Sequence, residues 1–206
     1  MKALLIVDMQ NDFLPGGALA VNEGDQIIPT INHLIESGFD LVVASKDWHP
    51  ESHSSFASTH AKAVGTCITL GNLEQMLWPN HCVQGTKGAD LSSELNVDAI
   101  DFIVHKGIDE GIDSYSAFFD NGHVKSTGLT EQLKRYGVDT VYVVGVATDY
   151  CVKYSVLDSI KEGFTTYLVL NACKGVNLKP NDSLDAIKEM QAAGAIVIET
   201  SNTYLK

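Results

Sequence analysis

Near the start of the chain, apolar residues follow one another without alternation, Ala3-Leu4-Leu5-Ile6-Val7, and the run is closed by Asp8. The same texture returns at Phe39–Ala44, Asp101–Val104, Thr140–Val146, Thr166–Leu170 and Ala195–Glu199. Short continuous runs of this kind predict strands covered on both faces, whereas a sheet with one wet face would alternate. Between them lie stretches with helical spacing: Ile27–Ser37, Thr130–Tyr136, Cys151–Glu162 and Ser183–Ala193. In the third, Val152, Val156 and Ile160 recur every four residues, with Ser155 and Ser159 on another face. Gly38, Gly137, Gly163 and Gly194 each end a helical pattern and precede a strand, the position where a helix-terminating glycine belongs. Strands alternating with helices across short connections predict an α/β fold: a three-layer arrangement around a mostly parallel sheet.

One segment breaks this rhythm. From about residue 48 to 96 the periodicity is weak and His, Ser, Gly and Pro are frequent. So long a connection inside a compact domain is usually functional or disordered. It reads as a metal- and substrate-binding insertion within a single domain spanning 1–206, a length that suits one α/β domain and is short for two. Apolar residues make up 45% of the chain, enough to fill a core.

Charge narrows the partners. The formal net charge is −12, with acidic residues scattered along the chain, whereas nucleic acid and anionic membranes reward clustered Lys and Arg. A small neutral or cationic ligand fits better, and a homo-oligomer is the one macromolecular assembly left open. The opening Met1–Val7 is too short for a secretory apolar segment, and no run approaches membrane-spanning length. A cytoplasmic protein is expected. Cys67, Cys82, Cys151 and Cys173 are then free thiols, and the Asn181-Asp182-Ser183 sequon stays unmodified.

In open α/β sheets, ligands bind beyond the carboxyl ends of the strands, so the residues after each predicted strand carry the most information. The first strand is followed by Asp8 and the second by Lys46-Asp47-Trp48-His49-Pro50-Glu51-Ser52-His53. After the third comes His105-Lys106-Gly107, and after the fourth Ala147-Thr148-Asp149-Tyr150-Cys151. Cys151 falls in the first turn of a predicted helix, with Thr148 or Asp149 as the expected N-cap. Unpaired N–H groups and the helix dipole favour a thiolate there, and the same N–H groups can receive an oxyanion. A packed helix cysteine is the bland alternative. Asp8 would otherwise be a cap and Lys106 a solvated loop residue. Together they supply what a cysteine nucleophile needs: a base for its proton and a cation to steady the charges.

Asp47-x-His49 suits the first half of a metal site, since i and i+2 side chains share one side of an extended segment. His81, in Trp78-Pro79-Asn80-His81-Cys82, could add a third ligand, and His53 either a fourth or a group supporting the others. Two His and one carboxylate leave open positions and suit zinc, iron or manganese. His33, His60, His105 and His123 read as structural, as do Cys67, Cys82 and Cys173. Neither Gly-x-Gly-x-x-Gly after a strand nor a phosphate-binding Gly-x₄-Gly-Lys-Ser/Thr occurs.

The segments Val7–Phe13, Asp47–Pro50, Trp78–Val83, His105–Gly107 and Gly145–Val152, in this order and spacing, resemble the isochorismatase-like cysteine hydrolases, and within them the bacterial nicotinamidases. The resemblance covers nearly the whole chain. It implies a six-stranded parallel sheet with helices on both faces. It also implies hydrolysis of nicotinamide, and of pyrazinamide, to the acid and ammonia through a cysteine thioester, in NAD salvage. Asp8, Lys106 and Cys151 match the family's catalytic triad. Asp47, His49 and His81 match its ligands for one divalent ion, zinc first, with iron or manganese as alternatives. Val146-Ala147 matches a cis peptide, with the N–H groups of Ala147 and Cys151 forming the oxyanion hole. Phe13, Leu19, Trp78, Tyr115 and Val146 match pocket positions around the ring, and Tyr150 stands where some relatives carry His. Three rivals remain at this stage: an amidase for a ureido or carbamoyl compound, a metallohydrolase with an inert Cys151, and a flavodoxin-like binding module.

Overall fold

The uninterrupted apolar runs do become strands. The protein is described by a computed structural model that covers residues 1–200. Strands β1 (Lys2–Val7), β2 (Leu41–Asp47), β5 (Phe102–Lys106), β6 (Thr140–Val146), β7 (Thr165–Lys174) and β8 (Ile196–Ile198) form one sheet. All its pairings are parallel, in the order β5-β2-β1-β6-β7-β8. A small antiparallel hairpin, β3 (Cys67–Leu70) with β4 (Leu73–Met76), stands apart.

Burial explains the lack of alternation. Ala3, Leu5 and Val7 pack on one face with Leu129, Leu133, Val156 and Met190, which come from α2 (Leu129–Arg135), α3 (Lys153–Lys161) and α4 (Asp182–Ala193). Leu4 and Ile6 pack on the other with Ile28, Ile31 and Leu34 of α1 (Ile28–Ile35). Both faces of β1 are therefore dry, and each large side chain fully buried this way stabilises by about 1.5–3 kcal/mol. The four predicted helix-ending glycines all adopt positive φ.

Element ends differ from expectation in informative places. β7 extends to Lys174, well past Leu170, because after a register shift between Val143 and Gly145 it pairs with β6 again, Gly145 with Cys173 and Val146 with Lys174. The predicted helix from Cys151 begins as an α-helix only at Lys153. Residues Thr148–Val152 form a π-helical turn. Neither Thr148 nor Asp149 caps it. The Asp149 carboxylate instead accepts the N–H groups of Val176 and Asn177, at 2.9 and 2.7 Å, and so fastens the loop after β7 to this turn.

Residues 48–96 hold two short 3-10 turns, irregular backbone and the hairpin; the bridge of His49 to Val83 joins the segment to itself, and that of Gln10 to Leu91 joins it to the chain just after β1. A second irregular stretch, 107–128, escaped the sequence reading. It carries no helix or strand and is organised around Asp120, whose carboxylate accepts the N–H groups of Gly122, Val124 and Lys125. Among the described residues no helix is long and apolar enough to cross a membrane.

Candidate active site

Strand order reverses between β1 and β6, and such a switch point opens a crevice at the strands' carboxyl ends. Asp8 lies immediately past β1, and the Cys151 turn follows β6. Asp47 ends β2 and Lys106 ends β5, so four adjacent strands deliver these side chains to one rim. Gly145 makes the close approach of β6 to β1 feasible: a Cβ there would collide with the Val7 backbone, and its φ of +113° disfavours any side chain. The Val146–Ala147 peptide bond is cis.

Acceptor atoms of Asp8 and Asp47 and the Cys151 Sγ all lie within 4.8 Å of one another. Lys106, fully buried, sits among them. Its Nζ donates to Asp47 Oδ1 (2.5 Å), to the Ser114 carbonyl (3.0 Å) and to Cys151 Sγ (3.4 Å). An ammonium has three protons, and these contacts use them. Asp8 Oδ2 forms an ion pair with Nζ at 2.8 Å, while Oδ1 accepts a hydrogen bond from Ser45 Oγ at 2.7 Å. One carboxylate oxygen is pinned and the other keeps a lone pair for a proton.

Electrostatics follow from burial. Burial raises the Asp8 carboxyl above the ordinary carboxylate range, against the pull of Lys106. It opposes the Asp47 charge as well, but there Lys106 and His49 win and hold that carboxyl well below the usual range. For Lys106, burial is outweighed by Asp47, Asp8 and Cys151, so the ammonium stays charged. Burial pushes the Cys151 thiol well up, only partly offset by Lys106. The resting thiol is protonated beside a carboxylate of raised proton affinity, a pairing suited to proton exchange.

Next to this group, His49 Nε2 and His81 Nε2 lie 3.6 and 3.7 Å from Asp47 Oδ2. His49 Nδ1 bonds the Gly107 carbonyl and His81 Nδ1 the Pro79 carbonyl, so each ring donates from Nδ1 and turns an Nε2 lone pair inward. A Cβ on Gly107 would overlap the His49 ring, which is why the residue beneath it is glycine. His49 Nε2 is buried with no hydrogen-bond partner. Two buried carboxylates facing a single lysine leave a negative balance here. An inward-facing pair of lone pairs, an unpaired buried nitrogen and that negative balance fit a divalent cation. His53 differs. It stacks on His49 at 4.2 Å, and its Nδ1 takes the N–H of Ser55 (3.3 Å) and contacts the Ser55 hydroxyl (2.7 Å), which leaves the ring proton on Nε2. Burial and His49 push its pKa down to about 4, so the ring is neutral.

A narrow cleft opens in front of Cys151. Phe13, Leu19, Trp78, Tyr115, Tyr150 and Ala147 line it, together with Asp47 and His81. Trp78 and Tyr115 both meet Tyr150 edge-on, and Trp78 Nε1 donates to the Tyr115 hydroxyl at 3.2 Å, making a rigid aromatic wall. Burial pushes the Tyr150 phenol up to about 12 and that of Tyr115 well above its ordinary value, so the wall carries no charge at neutral pH. Val146 is the exception among the expected pocket residues: its side chain is buried in the core with Val144 and Ala172 and does not line the cleft, because it belongs to β6. Two lining residues were not anticipated, Asp113 and Val176. Both sit on irregular loops without a periodic signal. Cys82 and Cys173 are buried thiols raised by burial, Cys173 to about 12, and Cys67 is exposed on the hairpin.

This fold and this rim place the chain in the isochorismatase family, whose domain model matches residues 2–202. Among its relatives is the nicotinamidase of Escherichia coli, 48% identical over 94% of this chain and 92% of that protein. A nicotinamidase/pyrazinamidase structure from Acinetobacter baumanii superposes with a TM-score of 0.92 at 48% identity, covering 96% of this chain and 95% of that one. A pyrazinamidase of Pyrococcus horikoshii, solved in complex with zinc, has a TM-score of 0.78 at 40% identity over 96% and 98% of the two chains.

Proposed function

We propose that this protein is a nicotinamidase, hydrolysing nicotinamide to nicotinate and ammonia, and accepting pyrazinamide as a second flat ring carboxamide. One observation carries the reading: Asp8, Lys106 and Cys151 converge beside an aromatic-walled cleft that Asp47 and His81 also line, in a chain 48% identical to the E. coli nicotinamidase.

In the proposed mechanism the ring lies between Phe13, Trp78 and Tyr115, with the carboxamide over Cys151. Asp8 accepts the thiol proton on Oδ2, the oxygen not held by Ser45. The thiolate attacks the amide carbon, and the N–H groups of Ala147 and Cys151 meet the charge that develops on its oxygen. Asp8 then returns the proton to the departing ammonia, leaving a thioester, and activates water to release the acid. Lys106 holds Asp8 and the sulfur in place throughout, while Tyr150 and Val176 help exclude bulk water.

Asp47, His49 and His81 would hold one divalent cation, for which zinc is the first choice, since the donor set suits it and the P. horikoshii relative was solved with it. When bound, the ion supplies a Lewis-acid anchor for the substrate's ring nitrogen. We read His53 as a group that packs against the His49 ring rather than a ligand, because its Nδ1 is taken by Ser55 and its Nε2 carries the proton. Residues 1–206 form a single domain in this reading, with 48–96 as its substrate-covering insertion, and the enzyme works in the cytoplasm, where its thiols stay reduced.

A coupled ammonia assay on a panel of amides tests the proposal. Nicotinamide and pyrazinamide should turn over and ureido or carbamoyl compounds should not. Ammonia release surviving in Cys151→Ala would end the mechanism.

A further inference from the structure

His81 reaches the site from an irregular loop, and the residue after it, Cys82, has φ of +46°. A side-chain-bearing residue is strained in the left-handed region, so something must hold it there. The Cys82 thiol supplies no polar anchor: it is buried, and burial pushes its pKa well up. Its backbone is held from two sides. Its carbonyl accepts the N–H of His49 at 3.0 Å, and its own N–H donates to Asp12 Oδ2 at 2.7 Å. The second contact is short and charge-assisted, a class of bond roughly twice as strong as a neutral one.

Asp12 does more than receive Cys82. Its Oδ1 accepts the N–H of Ala18 at 3.3 Å, and its carbonyl accepts that of Leu19 at 2.9 Å. A third loop closes over it, since a Cβ on Gly88 would overlap the Asp12 carboxylate. One side chain thus bonds the loop bearing Leu19 on one side and the loop bearing His81 on the other. Both residues line the cleft.

We infer that Asp12 is a positioning residue that holds Cys82 in its left-handed conformation, thereby presenting His81 to the cation and fixing the Leu19 wall of the same cleft. The inference rests on the metal reading proposed above. It assigns Asp12 no contact with substrate or ion. Its effect passes through the Cys82 peptide, so relieving the conformational penalty at Cys82 should partly replace it.

The test is zinc titration of metal-free protein against a chromophoric chelator, with circular dichroism and a thermal midpoint for every variant. Wild-type protein should take one zinc. Asp12→Ala should bind it about 10–100-fold more weakly, the loss typical when a group supporting a metal ligand is removed. Asp12→Asn, which still accepts one N–H, should stay within several-fold of wild type and serves as the readout should the alanine variant not fold. Adding Cys82→Gly to Asp12→Ala should recover about half of the lost affinity on a logarithmic scale, because glycine enters the left-handed region freely. Cys82→Ala removes the same thiol but keeps the penalty, and should recover nothing. Wild-type affinity in a folded Asp12→Ala, or equal recovery with Gly and Ala, would overturn the inference while leaving the metal reading intact. A wild-type protein that takes no zinc would remove the metal reading and this inference with it.

Discussion

The two halves of the site are built differently. Asp8 and the Cys151 turn follow the neighbouring strands β1 and β6, Lys106 ends β5 on the far side of β2, and the backbone ladder sets their separations. The metal cage takes Asp47 from a strand end, but His49 and especially His81 from the irregular segment, where side-chain contacts must do the positioning. Gln10 shows the scale of that effort: its amide bonds both the N–H and the carbonyl of Asp47, at 2.8 and 2.7 Å, and the Ala89 carbonyl at 2.9 Å. Ladder-held groups share the stability of the sheet core. Loop-held groups are exposed to local opening, which costs far less than global unfolding. Chemistry that tolerates no displacement is carried by strands, and binding of an exchangeable ion by loops.

The largest effect that separates the two halves is expected at Asp8. Asp8→Asn keeps the shape and the Ser45 contact but cannot take a proton, so kcat should fall by about 10³-fold, within the usual range for a general base. The zinc affinity should remain within a few-fold of wild type, because Asp8 is not among the three proposed ligands. Rate assays beside zinc titration would show it. Strong loss of zinc in this variant would mean that triad and cage are one unit and that the division drawn here is wrong.

His49→Ala is the converse. It removes an inward lone pair, so zinc should bind at least about 10–100-fold more weakly and KM should rise. Iodoacetamide should still modify Cys151 at close to the wild-type rate in metal-free protein, since the thiol's neighbours Lys106 and Asp8 are untouched. Mass spectrometry of the labelled cysteine provides the readout.

What could be read from the chain alone follows the same division. The strands were legible because burial on both faces writes itself as an unbroken apolar run, as at Val141–Val144. The rim was legible because Asp8, Asp47, Lys106 and Cys151 come at or just after such runs. The π-helical turn was not, because Thr148 and Asp149 are good cap residues whichever turn follows, and only the long-range bonds to Val176 and Asn177 reveal where Asp149 is used. Gly71-Asn72 between Leu70 and Leu73 was a readable two-residue hairpin signal that the weak periodicity around it obscured. Asp113 and Val176 carried no local signal, since the contacts placing them on the cleft span dozens of residues.

The smallest expected effect is the most diagnostic of how the ladder half is tuned. Ser45 sits on β2 and donates to Asp8 Oδ1, an atom with no other donor in reach among the described residues. Ser45→Ala leaves a buried carboxylate oxygen unpaired, at a cost of roughly 1–3 kcal/mol, and frees the carboxylate to rotate away from Cys151. A decrease in kcat of about 5–50-fold with little change in KM is expected, and Ser45→Thr, which keeps the hydroxyl, should restore most of it. The direction of the pH effect follows from the charge. Burial raises the Asp8 carboxyl, and the Ser45 hydrogen bond opposes that rise by favouring the charged form. Without the hydroxyl, Asp8 holds its proton to higher pH, so the acid limb of kcat/KM should move upward. A limb that stays put while kcat falls would mean that Ser45 acts only through packing, and that the strand ladder alone orients the base.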